Sequence, residues 1–258
     1  MKDYLQEDIS ASTIKSVQEL THVGDQLVWD MLVPANFNHP IAAPGAPGSA
    51  TAPNLRSFYR VAGKRLFDIL CVLATLPVSL PVILICALAL WIEGGASFYR
   101  QKRLGKGGTW FSILKLRTMV RDADAKLEQC LQNDPEMRAA WDATQKLKND
   151  PRITPVGGFL RRTSLDELPQ LWNVLKGEMS LVGPRPMMPQ QLPLYGDPRA
   201  YFAVLPGITG VWQVSARNEA RFSYRAELDD KYLTDLSLSL DLGLLLRTVG
   251  VVLRRTGY

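Results

Sequence analysis

Two adjacent carboxylates, Asp166-Glu167, lie in the stretch LRRTSLDELPQLWNVLKGEMSLVGPRP at residues 160–186, flanked by Arg161, Arg162 and Arg185. An ionised carboxylate can attack phosphorus or hold a divalent cation, and two in sequence can divide those tasks. Arginine forks clamp phosphate oxygens bidentately, and Arg185, bracketed by Pro184 and Pro186, loses little backbone freedom in doing so. These residue types point to phosphate chemistry assisted by Mg²⁺. Each also has a plainer reading. Ser164-Leu165-Asp166-Glu167 fits the S-x-x-E capping box, in which the carboxylates merely satisfy free amides at a helix start. Pro169 fits poorly at the fifth position of such a helix, which moves the expected start towards Leu168. Either way the pair lies near a helix N-terminus, whose positive end keeps carboxylates ionised. Arg161 and Arg162 are otherwise a solvated or membrane-facing basic pair, and Arg185 a rigid turn residue.

The elements that must position these groups begin with an apolar segment. From Ile69 to Ile92 the chain runs 24 residues without a charge. As one helix at ~1.5 Å per residue this is long enough to cross a ~30 Å hydrocarbon core. Pro77 and Pro81 near its middle each remove a backbone donor and bend the helix. Basic residues flank both ends evenly: Arg56, Arg60, Lys64 and Arg65 before it, Arg100, Lys102, Arg103 and Lys106 after it. A spanning helix carries its positive flank on one side, so the even flanks favour a re-entrant helix whose ends both stay in the cytoplasm. Ser79 is expected to bond a carbonyl that proline leaves free. A kinked spanning helix and a soluble core helix are the alternatives. After it, SFYRQKRLGKGGTWFSILKLRTM predicts a β-hairpin turning at Gly105-Lys106-Gly107-Gly108, its basic side chains suited to phosphates or anionic headgroups. Residues 121–148 read as charged helix interrupted near Asp134-Pro135. Leu236 to Arg255 fits an amphipathic helix lying along the interface, or a core helix.

Composition sets the limits. Mean hydropathy is near zero, an average over the apolar segment and a soluble-looking remainder. Residues 1–55 carry two basic against six acidic groups, a net −4, and the rest carry 28 against 19, a net +9. Three unpaired cysteines, Cys71, Cys86 and Cys130, exclude a disulfide scaffold and a Cys-based zinc site. The two histidines, His22 and His39, lie in the acidic arm, so a His-dependent catalyst is not expected. No glycine fingerprint of a Rossmann fold precedes a helix. The expected division is an acidic N-terminal arm over 1–33 and a Pro/Ala/Gly-rich linker over 34–55. A re-entrant membrane helix follows over 56–96, then a cytoplasmic catalytic domain over 97–258. The arm reads as a disordered tail or a partner-docking element, and not as a signal peptide.

The run from Asp166 to Pro186 resembles the bacterial sugar transferase family, the monotopic phosphoglycosyl transferases, and fits its pattern DELPQLxNVxxGxMSxVGPRP without a mismatch. Lys64-Arg65-Leu66-Phe67-Asp68, Lys115-Leu116-Arg117-Thr118-Met119 and Asn149-Asp150-Pro151-Arg152 also match upstream. Downstream, Pro206 to Gly210, Trp212 to Asn218 and the segment containing Asp229 agree. The likeness covers roughly residues 60–258 and is nearest to short, exopolysaccharide-initiating members of the ExoY type. It implies that Asp166 is the nucleophile and Glu167 the Mg²⁺ ligand. It implies phosphate binding by Arg161 and Arg185, roles in activity for Lys115 and Asp229, and a helix break at Pro81. The family has adjacent Ser-Pro at that break, whereas here Leu80 separates Ser79 from Pro81. The large multi-span N-terminal domain of longer members is not expected.

The resemblance implies a mainly α protein with a small β-hairpin, monotopic, with a Pro-bent re-entrant helix and interfacial amphipathic helices. It implies transfer of a hexose-1-phosphate, galactose or glucose, from a UDP-sugar to undecaprenyl phosphate. UMP would leave through an aspartyl phosphosugar, with Mg²⁺ as cofactor, at the cytoplasmic face of the bacterial inner membrane. UDP-sugar, undecaprenyl phosphate, membrane lipids and a homodimer are the expected partners, and nucleic acid is not. Arg217 and Asn218 are candidates for contacting the nucleotide. Two other readings stay open: a glycosyltransferase moving the sugar alone and releasing UDP, and a non-catalytic membrane scaffold.

Overall fold

The computed structural model describes residues 58–94, 96–144, 147, 150–215 and 224–253. The acidic arm, the linker, Arg217 and Asn218 lie outside these residues. The described part is mostly helical, with a two-stranded antiparallel hairpin and a second pair of short strands.

A π-helical turn, Tyr59–Gly63, leads into helix α1, Lys64–Gly94, which runs for 31 residues with Pro77 and Pro81 inside it. With Tyr59–Gly63 it is long and apolar enough, by length and composition, to cross a membrane. Its N-terminal end is fastened by polar groups. Asp68 is buried and accepts from Leu181 N at 3.1 Å. Arg65 donates to the carbonyls of Val174 and Leu175, and Arg60 to those of Leu233 and Thr234. Lys64 Nζ lies 2.6 Å from Asp241 Oδ2, which also accepts from Tyr59 OH. These three cations, read from the sequence as part of the basic flank that keeps this end in the cytoplasm, each have an acceptor on the protein. The far end is fastened too: Ser97 Oγ donates to Ala87 O at 2.6 Å, and Val156 N to Glu93 Oε1 at 2.9 Å. Between the ends Val78, Leu84 and Ile85 are exposed. The expected role of Ser79 does not hold: its hydroxyl is buried and makes no hydrogen bond among the described residues. Thr75 donates to Cys71 O and Val72 O, one turn back along the helix, which are not the carbonyls that Pro77 and Pro81 leave without a donor.

The hairpin forms as expected. Strands β1, Phe98–Leu104, and β2, Trp110–Leu116, pair in register from Phe98↔Leu116 to Leu104↔Trp110, and Gly107 supplies the positive φ of 65° in the turn. Alternation along β2 puts Phe111, Ile113 and Lys115 on one face. The first two are buried in a core with Val72, Val174, Met179, Val182 and Tyr232. Helices α2, Ala123–Asn133, and α3, Pro135–Thr144, break at Asp134, whose carboxylate accepts from Met137 N.

Helix α4, Pro155–Thr163, starts with Thr154 accepting from Gly157 N and ends at Ser164 with φ 56°. A 3₁₀ turn, Leu165–Glu167, follows, then α5, Gln170–Lys176, closed by Gly177. Strand β3, Ser180–Val182, is followed by short helices α6, Leu192–Tyr195, and α7, Arg199–Ala203. Strand β4, Gly207–Thr209, pairs parallel with β3. The fold closes with α8, Val211–Ser215, α9, Tyr224–Asp235, and α10, Leu238–Leu253. Helix α10 turns Asp241 and Leu244 inward and leaves Leu238, Leu242, Leu246 and Val249 exposed, an apolar outer stripe.

Candidate active site

The carboxylate pair occupies its own short turn. Ser164 precedes this turn at its N-cap position, but with the left-handed backbone that ends α4, and its side chain caps nothing. Pro169 ends the turn by serving as the N-cap of α5, so α5 begins two residues beyond the expected start. Asp166 and Glu167 are therefore held by a sharp reversal between two helices rather than by a capping box.

Three elements aim cations at this turn. The Asn173 side chain accepts from Leu114 N at 3.0 Å and donates to Ser112 O at 2.8 Å, clipping β2 to α5. The clip sets Lys115 so that its Nζ lies 2.7 Å from Glu167 Oε1. Arg185 arrives on the Pro184-Arg185-Pro186 strap, its Nη2 3.4 Å from the same oxygen. The strap is tied to β4 by Gly183 N to Thr209 O and Gly207 N to Pro184 O, both 2.8 Å. A Cβ on Gly207 would stand 2.1 Å from Gly183 N, so this approach requires glycine. Arg161, from the last turn of α4, donates Nε to Thr118 Oγ1 at 2.7 Å. Gly157 permits that contact, since a Cβ there would lie 2.2 Å from Thr118 O. Arg162 points outward and is exposed.

Burial pushes the Asp166 carboxyl up to about 6, and Glu167 pushes the same way, against Lys115, Arg161 and Arg185. A helix end would lower a carboxyl, whereas here burial raises it. At neutral pH Asp166 remains mostly ionised but is poorly solvated, which suits a nucleophile. Among the described residues no group of three or more His, Cys, Asp and Glu gathers to cage a metal ion. Two neighbouring carboxylates nonetheless fit Mg²⁺, which is usually held by one or two carboxylates with substrate phosphates and water.

Asp229 lies behind this layer. It is buried on α9, accepts from Tyr195 OH, and is pushed up to about 7 by burial, against that hydrogen bond and Arg225. Its charge is coupled to that of Arg225. Sequence reasoning missed Arg103 and Arg225, and also Thr118. The signals were periodic. Gln101 and Arg103 alternate with exposed Arg100 and Lys102 along β1, and Arg225, Leu228, Asp229 and Tyr232 share helical spacing on α9.

The bacterial sugar transferase family matches residues 59–255. Over 195 residues the chain is 48% identical to the UDP-galactose-lipid carrier transferase of Erwinia amylovora, covering 75% of this chain and 41% of that protein. It is 46% identical over 195 residues to the undecaprenyl-phosphate galactose phosphotransferase of Salmonella typhimurium, with the same coverage of 75% and 41%. The chain thus spans about two fifths of the length of these curated relatives. It is also 43% identical over 198 residues to the exopolysaccharide production protein ExoY of Rhizobium meliloti, covering 76% of this chain and 88% of that protein.

Proposed function

The chain belongs to the bacterial sugar transferase family, and on that premise we propose that it moves a hexose-1-phosphate from a UDP-sugar to undecaprenyl phosphate. The transfer releases UMP and primes exopolysaccharide synthesis. The observation that carries this reading is Asp166, desolvated beside Glu167 and surrounded by Lys115, Arg161 and Arg185. Asp166 attacks the sugar-bearing phosphorus and forms an aspartyl phosphosugar, which the lipid phosphate then attacks. Lys115, Arg161 and Arg185 bind and orient phosphate oxygens. Glu167, beside Asp166, would hold Mg²⁺, which when bound supplies charge neutralisation for the pyrophosphate.

A lipid phosphate presents its headgroup at the membrane surface, so the site must sit at that boundary. Support for a re-entrant α1 comes from its two ends, both fastened to one folded body. A spanning helix would carry its ends to opposite faces, about 30 Å of hydrocarbon apart. The apolar outer stripe of α10 supports an interfacial position for that helix. We place the protein on the cytoplasmic face of the inner membrane, where nucleotide sugars are made.

The released nucleotide decides between this reading and a sugar-only transfer. Incubation with UDP-galactose or UDP-glucose, undecaprenyl phosphate and Mg²⁺ is expected to yield UMP. UDP as product would overturn the phosphosugar transfer, and no nucleotide release from either sugar would favour a scaffold.

A further inference from the structure

The three cations at the carboxylate turn are not held alike. Lys115 and Arg185 reach Glu167 itself. Arg161 gives its Nε to a neutral acceptor, the Thr118 hydroxyl, at 2.7 Å. Its terminal nitrogens, Nη1 and Nη2, reach no acceptor among the described residues. One edge of the guanidinium is therefore tethered, while the fork that can grip a phosphate stays open and charged. Asp166 is the carboxylate that acts most on that charge, ahead of Asp150.

Thr118 is 6% exposed, and its backbone is pinned on both sides. Arg117 N donates to Ser97 O at 2.8 Å, Val120 N to Arg152 O at 2.9 Å, and Thr118 O accepts from Thr154 N at 3.1 Å. Thr154 is the N-cap of α4 and Arg161 lies in its last turn. Thr118 thus holds both ends of that helix, one through its carbonyl and the other through its hydroxyl. A β-branched side chain has few χ1 settings open to it, so the hydroxyl points one way. Arg161 O in turn accepts at 3.2 Å from the N–H of Ser164, the residue that opens the turn carrying Asp166. A carboxylate in place of the hydroxyl would hold Arg161 but cancel its charge, and an apolar side chain would leave it charged and loose. Threonine does neither.

We propose that Thr118 is a positioning residue for the phosphate transfer, fixing the Arg161 fork for the donor's phosphate oxygens without neutralising it. This deepens the phosphosugar reading and rests on it. Thr118 acts through Arg161 and touches neither the substrate nor the reacting atoms. A long side chain already held in its binding orientation loses less rotamer freedom when the phosphate arrives. The hydroxyl therefore contributes to donor affinity only while the Arg161 guanidinium is there to be oriented.

The test is titration of the full chain in detergent with UDP and Mg²⁺, a ligand that presents the donor's pyrophosphate but carries no sugar to transfer. Thr118→Val is expected to weaken UDP binding by about tenfold, the effect of leaving one long side chain to be ordered on binding. Thr118→Ser, which keeps the hydroxyl, should bind nearly as well as wild type. In an Arg161→Met background, where no fork remains to orient, Thr118→Val should change the affinity no further. A hydroxyl that only steadied the fold would weaken binding equally in both backgrounds. Wild-type affinity in Thr118→Val, or equal losses in the two backgrounds, would overturn the assignment. If Thr118→Val fails to fold, Thr118→Ala supplies the same comparison. The nucleotide released from UDP-galactose or UDP-glucose reports separately on the phosphosugar reading. Coupled losses with UDP as product sink that reading alone, and UMP as product with no coupling between Thr118 and Arg161 sinks the positioning role alone.

Discussion

Lys115 Nζ stands 2.7 Å from Glu167 Oε1, and each side chain is 19% exposed. The hairpin and the carboxylate turn, 52 residues apart in sequence, meet in that contact. Its effect reaches one residue further, because the Lys115 charge also lowers the Asp166 carboxyl against burial and Glu167.

A pH profile follows from this relationship. Asp166 attacks only when ionised, and its carboxyl is pushed up to about 6. Formation of the phosphosugar adduct should therefore fall by about tenfold per pH unit below that value. Lys115→Met removes a charge that lowers Asp166, so the acid limb should move to higher pH, and the rate at neutral pH should drop by roughly 100-fold. Adduct formation measured from pH 4.5 to 8 in both proteins checks the sign; a limb that stays in place would remove Lys115 from the electrostatics of Asp166.

The link between α1 and the body is expected to depend on Asp241, which accepts from Tyr59, Lys64 and Tyr232 while fully buried. Asp241→Ala leaves the Lys64 ammonium, whose side chain is 12% exposed, without its partner. A loss of about 3–5 kcal/mol is expected for breaking such a pair. Thermal unfolding in detergent measures it, and a change below about 1 kcal/mol would show that the network holds nothing in place.

The strap that carries Arg185 depends on backbone contact between β3 and β4. Gly207→Ala places a methyl 2.1 Å from Gly183 N and should push the strap away from Glu167. A shift of about 1 Å in a positioning group costs about 100-fold in rate. Loss of activity with retained helix content by circular dichroism is the expected pair of results; full activity would mean that the strap tolerates displacement.

Local patterns carried much of this fold. The hairpin, its glycine turn and the Asp134 break were legible because alternation and turn residues act over a few positions. The turn holding Asp166 and Glu167 was not, because Ser164 fits a capping box by spacing yet adopts a left-handed backbone that spacing does not report. Arg60, Lys64 and Arg65 read as a membrane flank because their acceptors lie 100 or more residues away in sequence. Separation along the chain also hid Arg103, whose acceptor Pro186 O lies 83 residues away on a separate strap. The parallel pairing of β3 with β4 also escaped, since three-residue strands leave almost no periodicity.

Topology is checked at the two helix ends. In a chain with Cys71, Cys86 and Cys130 replaced by serine, Val61→Cys and Glu93→Cys should react with an impermeant thiol reagent only when the cytoplasmic face is open. Labelling of one of them from the opposite face would establish a spanning helix and contradict re-entry.

The central claim is covalent catalysis at Asp166, and trapping the intermediate tests it most directly. Wild-type protein incubated with donor sugar and Mg²⁺, without lipid phosphate, should gain one hexose phosphate on the peptide containing Asp166, release one equivalent of UMP, and lose the adduct when undecaprenyl phosphate is added. Asp166→Asn should show neither adduct nor release. Full turnover by Asp166→Asn, or an adduct mapped to another residue, would contradict the account.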